Sequence, residues 1–163
     1  MLKRSWGSFS ETERRASGSD AISLLVTLDT SFVILHYFSK EPDVLRKSRS
    51  VLHFCRLAGN SGVLPTVVLA EFYAIARRDA GRDVAELRLR ELVDSGLEVV
   101  QFSQEAARES GVIRAKYHEK IPWGDCFIAG THISKKADLV LSEDPHFRSI
   151  KEIKTRNLGE FKL

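Results

Sequence analysis

At 163 residues the chain is long enough for one domain with a core of its own, and its 43% hydrophobic and 29% charged residues are the proportions of an ordinary soluble globular protein. The formal charge of +3 is mildly basic, which suits a polyanionic partner without demanding one. No apolar run approaches the ~20 residues that span a bilayer, and the first twenty residues carry Lys3, Arg4, Arg14 and Arg15 with no continuous hydrophobic segment, so a membrane span and a secretory signal are excluded and a soluble cytoplasmic protein is expected.

Residues 1–20 are rich in Ser, Gly and charge and show no period; they read as a flexible leader before a domain spanning 21–163. Ile22–Leu28 is a nearly continuous apolar run, as expected of a parallel strand buried on both faces. Ser31 is expected to cap a short helix through about Phe38, and Pro42-Asp43 to open another that stops at Gly59-Asn60. Gly62-Val63-Leu64 reads as a second strand. Pro65-Thr66 starts a helix with Thr66 as its cap and Gly81 as its terminator, and Asp83 with Glu86 resembles a capping box for a helix ending at Gly96.

Leu97–Phe102 reads as a third strand, followed by a helix capped by Ser103 and running to about Glu119. Pro122-Trp123-Gly124 breaks the chain before a helix from Asp125 to about Lys136, then a strand over Asp138–Ser142 and a fifth over Ile150–Ile153. Strands separated by single or paired helices predict an α/β fold: a parallel twisted sheet of four or five strands with helices on both faces. Cys55 and Cys126 lie in apolar helical stretches and read as reduced core thiols.

Four acids interrupt this apolar pattern. Asp29 closes the first strand, Asp144 follows the fourth, Asp125 opens a helix and Glu71 sits within Val67–Ala76. In open α/β sheets, ligands bind beyond the carboxyl ends of the strands, the edge at which Asp29 and Asp144 are aimed. A helix start favours the charge of Asp125, while Glu71 shares its helix face with Val67, Val68, Ala74 and Ile75. Two carboxylates about 4 Å apart repel by about 4 kcal/mol at an effective dielectric near 20, so a gathering of all four calls for a cation between them. Carboxylate oxygens suit Mg²⁺ or Mn²⁺. None of the five histidines has a zinc-type spacing, and His132 and His146 read as satisfied or solvated side chains rather than ligands.

Leu28-Asp29-Thr30-Ser31, Leu69-Ala70-Glu71-Phe72, Pro122–Ala129 and Leu139–Phe147 together resemble the PIN domain, and look most like its compact VapC-type ribonuclease toxins. The resemblance covers about Ala21 to the C-terminus. It implies a Mg²⁺- or Mn²⁺-dependent endoribonuclease with Asp29 and Asp125 as principal ligands, Glu71 and Asp144 completing the acidic pocket, and Ser142 and Thr30 in support. If the fourth strand continues, Ser142 and Asp144 share a face and Glu143 points away, so Asp144 is preferred as the fourth acid. The resemblance also implies a small antitoxin partner and a homodimer. Two basic groups, Arg77, Arg78 and Arg82, then Lys116 and Lys120 with His118, are candidates for RNA phosphate contacts.

Other readings are a housekeeping RNA-processing nuclease of the same family, a dehalogenase-type phosphatase, or a non-catalytic RNA-binding or receiver-like module. The phosphatase needs a second Asp two residues after the first, where Ser31 stands. The receiver needs paired acids at the end of strand one, where Thr27-Leu28 offers none.

Overall fold

Residues 23–162 are described by the computed structural model; the leader expected over 1–20 lies outside them. In chain order the elements are β1 (Leu25–Leu28), α1 (Thr30–Phe38), α2 (Pro42–Phe54), β2 (Ser61–Pro65), α3 (Thr66–Ala80), α4 (Arg82–Val93), β3 (Glu98–Val100), α5 (Gln104–Tyr117), α6 (Trp123–Ser134), β4 (Leu139–Leu141), α7 (Pro145–Ser149) and β5 (Thr155–Arg156). A 3-10 turn at His118–Lys120 links α5 to α6.

The five strands form one parallel sheet in the order β3-β2-β1-β4-β5. The chain therefore winds outward from β1 to β3, then crosses back over β1 to continue with β4 and β5. That reversal splays the two crossover connections apart and opens a crevice at the carboxyl ends of β1 and β4. The register pairs Leu28 with Leu141, and the Asp29 amide continues the ladder to the Leu141 carbonyl at 3.1 Å. Residues just past the two strands are thus held side by side.

The central strands β1, β2 and β4 are short and largely buried because both faces are covered, whereas the edge strands β3 and β5 carry exposed Glu98 and Arg156. Val26, Leu28, Val63, Leu64, Val140 and Leu141 have no exposed surface, and Phe32 of α1, Phe72 of α3, Ile128 of α6 and Phe147 of α7 close over them. Complete burial of each such side chain stabilises the fold by about 1.5–3 kcal/mol before entropy is counted. Helix α1 packs against both α2 and α3, α3 against α4, α6 against both α5 and α7, and α3 meets α6 where the two groups join. Cys55 and Cys126 are buried free thiols, as expected. Among the described residues no helix is long and apolar enough to cross a membrane.

Several local expectations are corrected. The cap of α1 is Asp29, whose carboxylate accepts from the Ser31 amide; Ser31 already lies inside the helix. Pro65, not Thr66, precedes α3. The Asp83–Glu86 capping box does not form: Gly81 precedes α4, and Glu86 instead accepts from the Tyr73 hydroxyl at 2.8 Å. The segment Pro145–Ser149 is a helix that the sequence did not announce, because five residues are too few to show a period. Its presence pushes the last strand from 150–153 to Thr155–Arg156.

The closest helix packing is between α5 and α6, where a Cβ on Gly130 would lie 2.1 Å from Ser110 Oγ and 2.5 Å from the Ala106 carbonyl oxygen. Gly111, one residue along α5, would meet nothing within 4 Å. Gly130→Ala should therefore lower stability by about 1–3 kcal/mol or more through overpacking, whereas Gly111→Ala should raise it by about 0.5–1 kcal/mol through helix propensity. Urea unfolding followed by circular dichroism reads both; equal effects would contradict this packing.

Candidate metal centre

The crevice between β1 and β4 collects acids from four elements. Asp29 leaves β1, is 3% exposed, and caps α1. Its Oδ2 accepts from the Ser31 amide at 3.1 Å, the Ser31 hydroxyl at 2.5 Å and the Ser142 hydroxyl at 2.7 Å. Three donors on one oxygen hold the carboxylate in a single orientation, and among the described residues Oδ1 accepts no hydrogen bond.

Ser142 follows β4, is 1% exposed, and also accepts from the Asp144 amide at 2.9 Å. Ser31 in turn accepts from the Glu143 amide at 2.9 Å. Two hydroxyls therefore tie the end of β1 to the loop after β4. Ser31 was read from the sequence only as a cap; the signal for its further role was its position two residues after Asp29 in the first helical turn, where a side chain turns back toward the cap.

Asp144 caps α7 through a 2.8 Å bond from the His146 amide to Oδ1. Glu143 points away, accepting from the Leu158 amide at 2.6 Å. Glu71, on α3, accepts from the Thr30 hydroxyl at 2.5 Å. A Cβ on Gly124 would stand 2.2 Å from Glu71 Oε1, so only glycine at the start of α6 lets that carboxylate approach. Asp125 follows in the first turn of α6, its side chain 14% exposed, and its Oδ2 is shielded from solvent without a hydrogen-bond partner.

His146 stands among these acids. Its Nδ1 lies 3.2 Å from Asp125 Oδ2 and 3.1 Å from Asp144 Oδ1, and one ligand atom from each of the three residues falls within 4.8 Å of the others. Nothing in the sequence marked it, since its closeness to Asp125 arises from how α7 packs on α6. His132 is a satisfied core residue: buried, with Nδ1 2.9 Å from Thr27 Oγ1, and with a pKa that burial pushes down to about 4.

The electrostatics match this crowding. Burial raises the Asp125 carboxyl to about 7; the charges of Asp144 and Asp29 add to the rise, His146 opposes it, and Glu71 adds a smaller push. Burial also raises Glu71, against the Thr30 hydrogen bond and with the charge of Asp29. Among the described residues the group within ligand reach of one another is Asp125, Asp144 and His146, with Asp29 and Glu71 near enough for their charges to act on Asp125 but outside that group; its carboxylate oxygens fit a hard divalent cation.

Of the basic candidates, Arg78 is paired with Asp79 and Lys116 with Glu152. Arg77 donates to the Tyr73 hydroxyl at 3.3 Å, and Arg82 and Lys120 are exposed.

Comparison with known proteins follows the same architecture. The PIN domain matches residues 26–153. Among solved structures, the fold is similar to VapBC2 from Rickettsia felis bound to a DNA fragment from its promoter (TM-score 0.68, 20% identity, 82% of this chain and 98% of that one). It is also similar to DNA-bound VapBC from Salmonella typhimurium (0.67, 23%, 83% and 98%) and to Mycobacterium tuberculosis VapC20, a sarcin-ricin loop cleaving toxin (0.62, 13%, 77% and 95%). At these identities the likeness is one of fold. Comparison with curated sequences finds no match.

The raised Asp125 carboxyl has a consequence for stability. Its folded value near 7 lies above the ordinary 3.8, so between about pH 4 and 7 the folded state holds a proton that the unfolded state has lost. With divalent ions chelated, this group makes the protein lose stability as pH rises through that window. Asp125→Asn should flatten the dependence and raise the melting temperature at pH 8 by a few degrees. Calorimetry from pH 5 to 8 with chelator checks it, and an unchanged slope in the variant would refute the assignment.

Proposed function

This chain belongs to the PIN domain family, and from that premise we propose that it is a Mg²⁺- or Mn²⁺-dependent endoribonuclease that hydrolyses RNA phosphodiester bonds as the toxin of a toxin–antitoxin pair. What supports the reading is the crowding felt by Asp125, which is desolvated, has no aligned hydrogen-bond partner for its Oδ2 and is acted on by the charges of Asp144, Asp29 and Glu71. Four carboxylates so placed are poorly suited to any neutral ligand and well suited to a divalent ion facing a phosphate.

In this reading Asp29 and Asp125 hold the ion, with Asp144 and Glu71 completing the pocket. A divalent ion held there would supply Lewis acidity toward water and charge neutralisation at the phosphate. Ser142 and Ser31 orient Asp29 through Oδ2 so that Oδ1 is free to face the ion. Thr30 orients Glu71. The exposed Arg77, Arg82 and Lys120 are the better candidates for the RNA backbone, because Arg78 and Lys116 are already neutralised by acidic partners. The VapBC complexes among the similar structures support an antitoxin as partner; the homodimer rests on the family resemblance alone.

Cleavage of a structured RNA should require Mg²⁺ or Mn²⁺ and stop with chelator. Asp29→Asn and Asp125→Asn should each lower the rate by about 10²-fold or more, the scale of losing a main stabiliser of transition-state charge. Cleavage that persists in both variants would overturn the mechanism. Recovery of the native protein free of any small partner would favour a housekeeping RNA-processing role over a toxin.

A further inference from the structure

Among the described residues, His146 is the one nitrogen donor in the group that could share an ion with Asp125 and Asp144. Its place is set by local chain geometry. Asp144 caps α7, Pro145 at the first helical position locks the backbone, and the His146 amide donates to Asp144 Oδ1 at 2.8 Å. The imidazole is thereby turned back over the crevice, with Nδ1 3.1 Å from Asp144 Oδ1 and 3.2 Å from Asp125 Oδ2.

These separations are those of neighbouring ligands in an octahedral shell, where bonds of about 2.1 Å place adjacent donor atoms about 3.0 Å apart. Both His146 Nδ1 and Asp125 Oδ2 are shielded from solvent, and neither has an aligned hydrogen-bond partner. Two such atoms beside each other, one nitrogen and one oxygen, point to a shared occupant that satisfies both.

We infer that His146 supplies a nitrogen ligand alongside Asp125 and Asp144, and that the centre therefore prefers Mn²⁺ to Mg²⁺. This rests on the reading of the crevice as a metal-dependent nuclease centre. Mg²⁺ gains little from exchanging a water or carboxylate oxygen for imidazole, whereas first-row transition ions accept nitrogen readily. Neutral imidazole also binds without adding to the repulsion among the acids.

The test is spectroscopic and independent of turnover. Electron spin-echo envelope modulation of the Mn²⁺-loaded protein should show nitrogen-14 coupling, which changes to the nitrogen-15 pattern when histidine is isotopically labelled and disappears in His146→Gln. Calorimetric titration should show His146→Gln weakening Mn²⁺ about tenfold or more while Mg²⁺ affinity stays within about twofold. Bound Mn²⁺ without nitrogen coupling in the wild-type protein would overturn the assignment of His146 and leave the nuclease reading standing. Absence of any bound-Mn²⁺ signal would overturn both. The isotope arm uses the native side chain, so it decides the matter even if the variant folds poorly.

Discussion

Mutual repulsion among desolvated carboxylates is the constraint around which this structure is arranged. Like charges a few ångströms apart cost several kcal/mol each at protein-like dielectric, comparable with the net stability of a domain of this size. Asp125 shows the effect directly: burial, Asp144 and Asp29 together lift its carboxyl to about 7. The fold tolerates the arrangement because each acid is anchored by a different element. β1, α3, α6 and the loop before α7 are each held in place by buried apolar surface, so the crevice does not relax by moving any one of them apart.

The same anchoring explains the polar network under the site. Asp29 is at once a helix cap and a crevice carboxylate, roles compatible because its two oxygens divide them. Oδ2 takes the Ser31 amide and the hydroxyls of Ser31 and Ser142. Asp144 repeats the device at α7, where Oδ1 caps the helix through the His146 amide. Using helix caps to aim carboxylates couples local backbone geometry to site geometry: a shift of either helix start would move a carboxylate with it. Gly124 extends this logic, since the absence of a side chain there admits Glu71 to the start of α6.

Much of the fold was legible because parallel strands buried on both faces are short apolar runs, as in β1, β2 and β4, and the edge strand β3 kept its two valines. The misses have physical reasons. The last strand is only two residues long, and α7 only five, so neither carries a periodicity. The supposed capping box at Asp83–Glu86 failed because Glu86 found a better partner in the Tyr73 hydroxyl, a contact between two helices that local spacing does not encode.

By itself, the sequence determined which residues could not be ordinary. An Asp at the end of an apolar strand, a Glu inside an apolar helix stretch and an Asp opening an apolar helix are each costly to bury, and that cost is readable from neighbours along the chain. Tertiary structure alone decided which of them meet, because the strand order β3-β2-β1-β4-β5 sets β1 against β4 and opens the crevice there. It also decided the place of His146. The histidine is two residues from Asp144 but 21 from Asp125, and only the packing of α7 on α6 brings its ring nitrogen to both.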